Sequence, residues 1–374
     1  MKLPHFICLV AALLMAGCEQ QNDDNGKQNA SAFTINRGVN IAYFLSQSSS
    51  RGQARANYFT AADIKTIKDY GFDHVRIPVD EEQLFTTSGE KETDAFTLLK
   101  WTIDYCIKQD LRVVVDLHIL RSHHFTSGSN KLFTDPEAQE QFYEMWRQLS
   151  AELHTFPNSM LAYELLNEPQ APTAADWNTL IARCYHAIRE LEPQRVIVIG
   201  TNPSQDYKGA KYLKLPSDDD PNILVSFHYY NPFLLTHYQA SWTSQKGYNG
   251  PVHYPGTVVS RDEFDAAVCP EEAKNAVKGF VVQSYDTSVI RDNFRVVTAF
   301  AKEHGLKVYC GEYGCLPAAP TADRLRWHND MENLFDEMGF ARSVWCYKDS
   351  RKGFGIIKDG VPDDDMLRAM HIIK

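Results

Sequence analysis

Short apolar runs rich in β-branched residues recur along the chain and set its organisation. They begin near Gly38 (GVNIAYF), His74 (HVRIPV), Arg112 (RVVVDLH), Leu161 (LAYELLN), Arg195 (RVIVIG), Ile223 (ILVSFHYY), Lys307 (KVYCGEYG) and Ser343 (SVWCYK). Each reads as a strand, and several of the gaps between them carry apolar residues at helical spacing. Thr60 and Asp63 form a capping-box pattern ahead of Ile64, Ile67 and Tyr70, and Gly71 closes that helix. Asp135 followed by Pro136 opens another, with Phe142, Met145, Trp146, Leu149 and Leu153 on one stripe. Further helices are predicted around 177–191, 289–304 and 325–338.

Strand and helix alternating eight times without a break in composition predict an α/β fold, a single (β/α)8 TIM barrel, rather than two domains. A doubly wound open sheet is the rival, but the first strand region, Gly38-Val39-Asn40-Ile41-Ala42, carries no G-x-G-x-x-G turn. Between the starts of the sixth and seventh runs lie 84 residues, more than one crossover needs. The stretch 231–270 within them is rich in Tyr, Trp, His, Gly and Pro, and long loops of this kind usually serve a site.

The N-terminus reads as an address. Lys2 precedes an apolar run from Phe6 to Ala16, too short for a bilayer core that takes about twenty residues, so it reads as a signal-peptide core. The run ends in Leu14-Met15-Ala16-Gly17-Cys18, which resembles a bacterial lipobox, with Met15 where Leu is more usual. The expected boundaries are a signal peptide over 1–17, a flexible polar tether over 18–31 beginning at lipidated Cys18, and the barrel over 32–374. The expected location is an exported lipoprotein on the outer membrane or cell surface; a periplasmic or secreted protein is the alternative.

Composition narrows the function. With 44% hydrophobic and 23% charged residues the chain is an ordinary globular one. Loss of Lys2 with the leader leaves 37 basic against 48 acidic side chains, a net charge of −11. Such a surface repels phosphate backbones and argues against nucleic-acid partners. Cys106, Cys184, Cys269, Cys310, Cys315 and Cys346 have no zinc-site spacing, and no disulfide is assigned. Neither H-E-x-x-H nor G-x-S-x-G occurs, which argues against a zincin or an α/β-hydrolase.

In a barrel the site lies at the C-terminal ends of the strands, where polar residues in place of Val, Ile or Leu are informative. Arg76 is placed at the end of the second strand, Asp116 and His118 of the third, Asn167 and Glu168 of the fourth, His228 and Tyr230 of the sixth, Glu312 of the seventh and Trp345 of the eighth. Two carboxylates at one barrel mouth suggest acid/base and nucleophilic work on a glycosidic bond. Arg76 and Tyr230 would hold one glutamate ionised, Asn167 would bond a sugar hydroxyl, and Trp345 would offer a flat face to a pyranose. Glu164 is expected to be a buried partner for a barrel Arg, and Asp116 to fix an imidazole or guanidinium. The run Asp218 to Asp220 reads as a solvated loop. His123, His124, Trp242 and Tyr254 are candidate outer subsites, though aromatics in a long loop also serve to pack it. No metal and no cofactor is called for by this chemistry, and the oligomeric state is not readable.

This set of residues resembles glycoside hydrolase family 5 from about Gly38 to Lys348. The family pattern asks for an Arg on strand two, His after strand three, Asn-Glu on strand four, His-x-Tyr on strand six, Glu on strand seven and Trp on strand eight. The resemblance implies retaining chemistry with Glu168 as general acid/base and Glu312 as nucleophile. It implies an endo-β-1,4-glucanase acting on a β-glucan, with a β-mannanase or another β-glycanase next. A surface lipoprotein that binds glycans without cleaving them is the alternative of another class.

Overall fold

The computed structural model describes residues 33–126 and 130–374. The leader, Cys18 and the tether lie outside the described residues.

Eight parallel strands close into a barrel in chain order, with the last hydrogen-bonded to the first. They are β1 (Arg37–Asn40), β2 (His74–Asp80), β3 (Arg112–Ile119), β4 (Leu161–Glu164), β5 (Val196–Gly200), β6 (Ile223–Tyr229), β7 (Lys307–Tyr313) and β8 (Ala341–Val344). All eight begin within two residues of the runs seen in the sequence. The surrounding helices are α1 (Ala61–Asp69), α2 (Thr93–Lys108), α3 (Pro136–Leu153), α4 (Ala174–Arg189), α5 (Thr287–Glu303), α6 (Thr321–Met338) and α7 (Asp364–Ala369). The short step from β5 to β6 holds a 3₁₀ helix, Tyr207–Tyr212, in place of an α-helix. The helix-start signals act as expected: Asp63 Oδ2 accepts from the Thr60 amide at 2.8 Å, and Asp135 accepts from the Glu137 amide at 3.0 Å.

Alternation along the strands divides the core into two layers. Val113, Val115, Tyr163, Ile197 and Val225 pack outward in the large core cluster, which Trp146 of α3 and Trp177 of α4 also join. Their indole N–H groups donate to the carbonyls of Leu165 and Gly200 at 3.0 and 2.9 Å, so neither ring leaves a buried donor unpaired. Val114, Ala162, Val198, Leu224 and Tyr309 form a separate small cluster inside the barrel with Phe33. Above this apolar floor the interior turns polar, with Arg76, Asp116 and Glu164 all fully buried.

One irregularity decides where a key carboxylate points. Phe227 pairs with Cys310 but His228 pairs with Glu312, so Gly311 is an extra residue in β7. A strict two-residue period would turn Glu312 to the same side as Cys310, against the helices; the bulge turns it into the barrel. Tyr313 then faces outward, where its hydroxyl bonds Glu332 of α6. A Cβ at position 311 would sit 3.1 Å from His228 Nε2 and from Ser226 Oγ, so a side chain there would press on the histidine beside both glutamates.

The long connection after β6 is folded, with short helices Phe233–Thr236, Arg261–Ala266 and Glu271–Val277 and a two-stranded piece pairing Gly256–Thr257 with Ser284–Tyr285. The reading of 218–220 as a solvated loop is corrected in part. Asp218 and Asp219 are exposed, but Asp220 is buried and accepts hydrogen bonds from Tyr185 and Arg189, each at 2.7 Å. That pair ties α4 to the start of β6, which a run of acidic letters does not reveal. Cys106, Cys184, Cys269, Cys310, Cys315 and Cys346 are free thiols, and all but Cys269 are buried.

Candidate active site

A cleft of about 700 Å³ opens at the C-terminal mouth of the barrel, with Glu168, Glu312, His118 and Trp345 among its walls. Its foundation is Arg76, which lies within β2 rather than at its end and reaches up the barrel axis. Its guanidinium donates to Glu164 Oε2 at 2.7 Å, Glu312 Oε1 at 2.8 Å, and Asn40 Oδ1 and Asn167 Oδ1 at 2.9 Å each; Asp116 Oδ2 lies 3.0 Å away. One cation therefore faces three buried carboxylates, an imbalance that leaves them unequal. Burial opposes charge on Arg76, but Asp116, Glu164 and Glu312 outweigh it and hold its pKa well above the ordinary value. Burial pushes Asp116 up to about 7 against the pull of Arg76, and raises Glu164 as well.

Glu312 is the best furnished of the accessible carboxylates. Tyr230 donates its hydroxyl to Oε2 at 2.9 Å while Arg76 holds Oε1. Burial raises its pKa; Arg76, His118 and the Tyr230 hydrogen bond draw it back. Glu168 stands opposite with weaker support. His228 Nδ1 lies 3.0 Å from its Oε1, and burial together with the charge of Glu312 pushes it well above the usual carboxylate range. Burial and Arg76 drive the His228 pKa far down, so the imidazole is neutral, and its Nδ1 lies between the two glutamates, 3.0 Å from Glu168 Oε1 and 3.6 Å from Glu312 Oε2. One oxygen from each glutamate and this nitrogen lie within 4.8 Å of one another. An oxygen of each glutamate thus lies no more than 4.8 Å from the other, the proximity that a retaining pair needs and closer than the roughly 6.5 Å or more that leaves room for an inverting water. Among the described residues this trio is also the one group close enough to hold a metal ion.

The strand pattern alone does not place Glu168. β4 ends at Glu164, Leu165 and Leu166 join the outer core, and Glu168 takes a left-handed backbone with φ +41°. Such a conformation is uncommon for a residue with a side chain and marks a position the surroundings enforce. Asn167 accepts from Arg76 through Oδ1, which turns its NH₂ group toward the cleft. Asp116 takes the Nδ1 proton of His118 at 2.7 Å, and Gln47 Nε2 meets the other ring nitrogen at 3.2 Å. His118, held neutral by burial with a pKa of about 4, stacks on Trp345 at 5.6 Å with the rings 8° apart. Thus Arg76, His118, Asn167, Glu168, His228, Tyr230, Glu312 and Trp345 converge on one mouth.

The outer residues divide. His124 and Trp242 line the cleft, Trp242 with 59% of its surface exposed. His123 does not: it is buried, and its Nε2 meets the carbonyl of Asn167 at 3.3 Å. Tyr254 is also buried, and its hydroxyl donates to Asp330 of α6 at 3.0 Å, so it packs the long loop instead of facing substrate. Both were expected as outer subsites, but a histidine or tyrosine letter says nothing of which way a loop turns. Asn40, Gln205, Tyr43 and Phe354 were not singled out in the sequence. Asn40 ends β1, so a polar residue at a strand end would have flagged it; Gln205 lies five residues past the end of β5, where that signal does not reach.

Comparison with known proteins agrees with this geometry. The family model "Cellulase (glycosyl hydrolase family 5)" matches residues 36–351. Endoglucanase C of Acetivibrio thermocellus is 33% identical over 322 residues, covering 83% of this chain and 90% of that protein. Cellodextrinase A of Ruminococcus flavefaciens is 27% identical, covering 82% and 84%. The solved structure of a hyperthermophilic endo-β-1,4-glucanase with substrate superposes with a TM-score of 0.69 at 26% identity, over 90% of this chain and 97% of that one.

Proposed function

The chain belongs to the cellulases of glycosyl hydrolase family 5, and on that premise we propose that it is a retaining endo-β-1,4-glucanase, cleaving internal linkages of cellulose or related β-glucans by double displacement. The observation that carries this reading is a pair of close carboxyl groups in unequal surroundings. Glu312, bonded to Arg76 and Tyr230, is the nucleophile; Glu168, which has no arginine or lysine partner among the described residues, is the acid/base.

In the first step Glu312 attacks the anomeric carbon while Glu168 protonates the departing glycosidic oxygen, giving a glycosyl ester. Forming that ester consumes the Glu312 charge, which is one of the causes holding the Glu168 pKa up. Glu168, already deprotonated by the first step, then finds its anion more tolerable. In the second step it takes a proton from water, which attacks the ester carbon and restores the Glu312 carboxylate with net retention. The NH₂ of Asn167 is left to donate to a sugar hydroxyl beside the bond being cut, and Trp345 gives the ring a flat apolar face.

An endoglucanase relative at 33% identity supports the substrate. Aromatic rims from separate loops support a long ligand: His124 and Phe125 stack at 4.9 Å, and Trp242 meets Phe354 at 6.4 Å. Reducing-end release from carboxymethylcellulose, barley β-glucan, xyloglucan and mannan tests the reading, with proton NMR of the first product. β-Anomer from the glucans is expected. α-Anomer first would remove the retaining mechanism, release only from mannan would make it a mannanase, and no release from folded protein would leave glycan binding.

We propose further that the chain is exported and anchored through acylated Cys18, with 1–17 removed, 18–31 a tether and 32–374 the catalytic barrel. Membrane fractionation tests this: Cys18→Ala should move the protein from membrane to soluble fraction, and no change would overturn the anchor.

A further inference from the structure

Gln205 touches no cleft-lining side chain directly, yet it connects the parts that do. It is fully buried on the loop after β5, in a left-handed conformation with φ +51°. Its carbonyl oxygen Oε1 accepts the backbone N–H of Glu168 at 2.8 Å. Its amide nitrogen donates to Glu164 Oε1 at 2.9 Å and to Ser226 Oγ at 3.1 Å. Its main-chain carbonyl accepts the N–H of His228 at 2.8 Å. One side chain therefore fixes the backbone of Glu168 and the carboxylate that seats Arg76, while its own backbone fixes the residue that hydrogen-bonds Glu168.

Among the described residues nothing else holds the amide of Glu168 in this way, and that amide belongs to the residue whose φ is +41°. Neighbouring contacts tighten the same joint: Ser204 N–H donates to the Pro169 carbonyl at 2.9 Å, and Gln170 Nε2 to Ser204 Oγ at 2.6 Å. The fold also reserves room for the Gln205 side chain. A Cβ on Gly200 would lie 2.6 Å from Gln205 Cγ, so the last residue of β5 is a glycine beside it.

We infer that Gln205 is a positioning residue for the acid/base, setting the left-handed backbone of Glu168 and with it the aim of its carboxyl group at the glycosidic oxygen. The inference rests on the assignment of Glu168 proposed above. Losing the acceptor frees the Glu168 N–H, lets the backbone relax, and moves the proton donor off its target. In kcat/KM, which reports the first step, the defect is then confined to substrates whose leaving group needs a proton.

The test is the leaving-group dependence of kcat/KM, which reports the first chemical step, for Gln205→Met on a series of aryl β-cellobiosides. Met keeps the length and volume but neither accepts from Glu168 nor donates to Glu164. The expected result is a loss of about 10²-fold on phenyl cellobioside, the scale of a misplaced catalytic group. On 2,4-dinitrophenyl cellobioside, which departs unprotonated, the loss should stay under about threefold, because general acid assistance is not used there. Gly200→Ala leaves Gln205 in the chain but displaces its side chain, and should show the same selectivity; thermal melts establish that each variant is folded. Equal losses across the series, or an unchanged phenyl cellobioside rate in a folded variant, overturn the inference while an active wild type preserves the functional reading. A wild type inactive on every cellobioside overturns both.

Discussion

Removing the hydroxyl of Tyr230 isolates what keeps Glu312, the proposed nucleophile, ionised. In Tyr230→Phe the ring still packs against His237 at 5.0 Å and Phe354 at 5.9 Å, so the wall of the cleft stays in place. What is lost is one hydrogen bond of 2.9 Å to Glu312 Oε2. Burial and the charges of Glu312 and Glu168 hold the Tyr230 pKa far above its ordinary value, so the phenol is a neutral donor throughout the working range. A hydrogen bond to a charged group is worth about 1.5–3 kcal/mol. At about 1.4 kcal/mol per pKa unit, its loss raises Glu312 by roughly 1–2 units. The sign follows because the bond stabilises the anion, so without it protonation sets in at higher pH. The acid limb of kcat/KM, which reports Glu312 in the free enzyme, should therefore move up by roughly 1–2 pH units. On the plateau above that limb Arg76 still holds Oε1 at 2.8 Å, and the loss should stay under about tenfold. A pH–rate profile on a soluble aryl cellobioside measures both quantities. A limb that moves by less than about 0.3 unit, or an equal loss at every pH, would show that Tyr230 does not act through the ionisation of Glu312.

The two glutamates should fail differently. Glu312→Ala is expected to lose nearly all activity and to yield an α-glycosyl azide from an activated substrate with azide. Glu168→Ala should lose roughly 10²–10⁴-fold in kcat/KM on poor leaving groups, keep kcat/KM on activated ones while their kcat falls for want of a base in the second step, and yield the β-azide; the opposite pairing of anomers would exchange their roles. Trp242→Ala should raise KM for cellohexaose roughly fivefold, about 1 kcal/mol of stacking, and leave phenyl cellobioside unchanged; equal KM values in both enzymes would place Trp242 outside the substrate path. Burial raises the Asp363 pKa, but Lys358 and Arg324 overcome it and hold the group at about 2. A carboxylate depressed in the folded state stabilises above its unfolded value near 3.8 and loses that contribution as pH falls toward 2. Asp363→Asn should thus lower the melting temperature at pH 7 and converge with wild type near pH 2, as seen by scanning calorimetry; a constant gap would remove the ion pair as its cause.

The sequence by itself determined the barrel and the residues at its mouth. Eight apolar runs at crossover spacing admit few architectures, because parallel strands must be joined by helices and their inner faces must be filled. Polar letters such as Arg76, His228 and Glu312 stand out within those runs, since an interior that only packs would not carry them. Tertiary structure decided which way these residues point. The bulge at Gly311 turns Glu312 inward against the two-residue period, and Gln205, 37 residues away in sequence, holds the left-handed Glu168. It also decided that Tyr254 and His123 serve packing while Trp242 and His124 face the cleft. The physical reason is range. Periodicity and caps act within a few residues, where a single chain records them. The direction of a side chain at a bulge or in a loop is fixed by whichever distant hydrogen-bond partner and cavity it meets after the barrel closes.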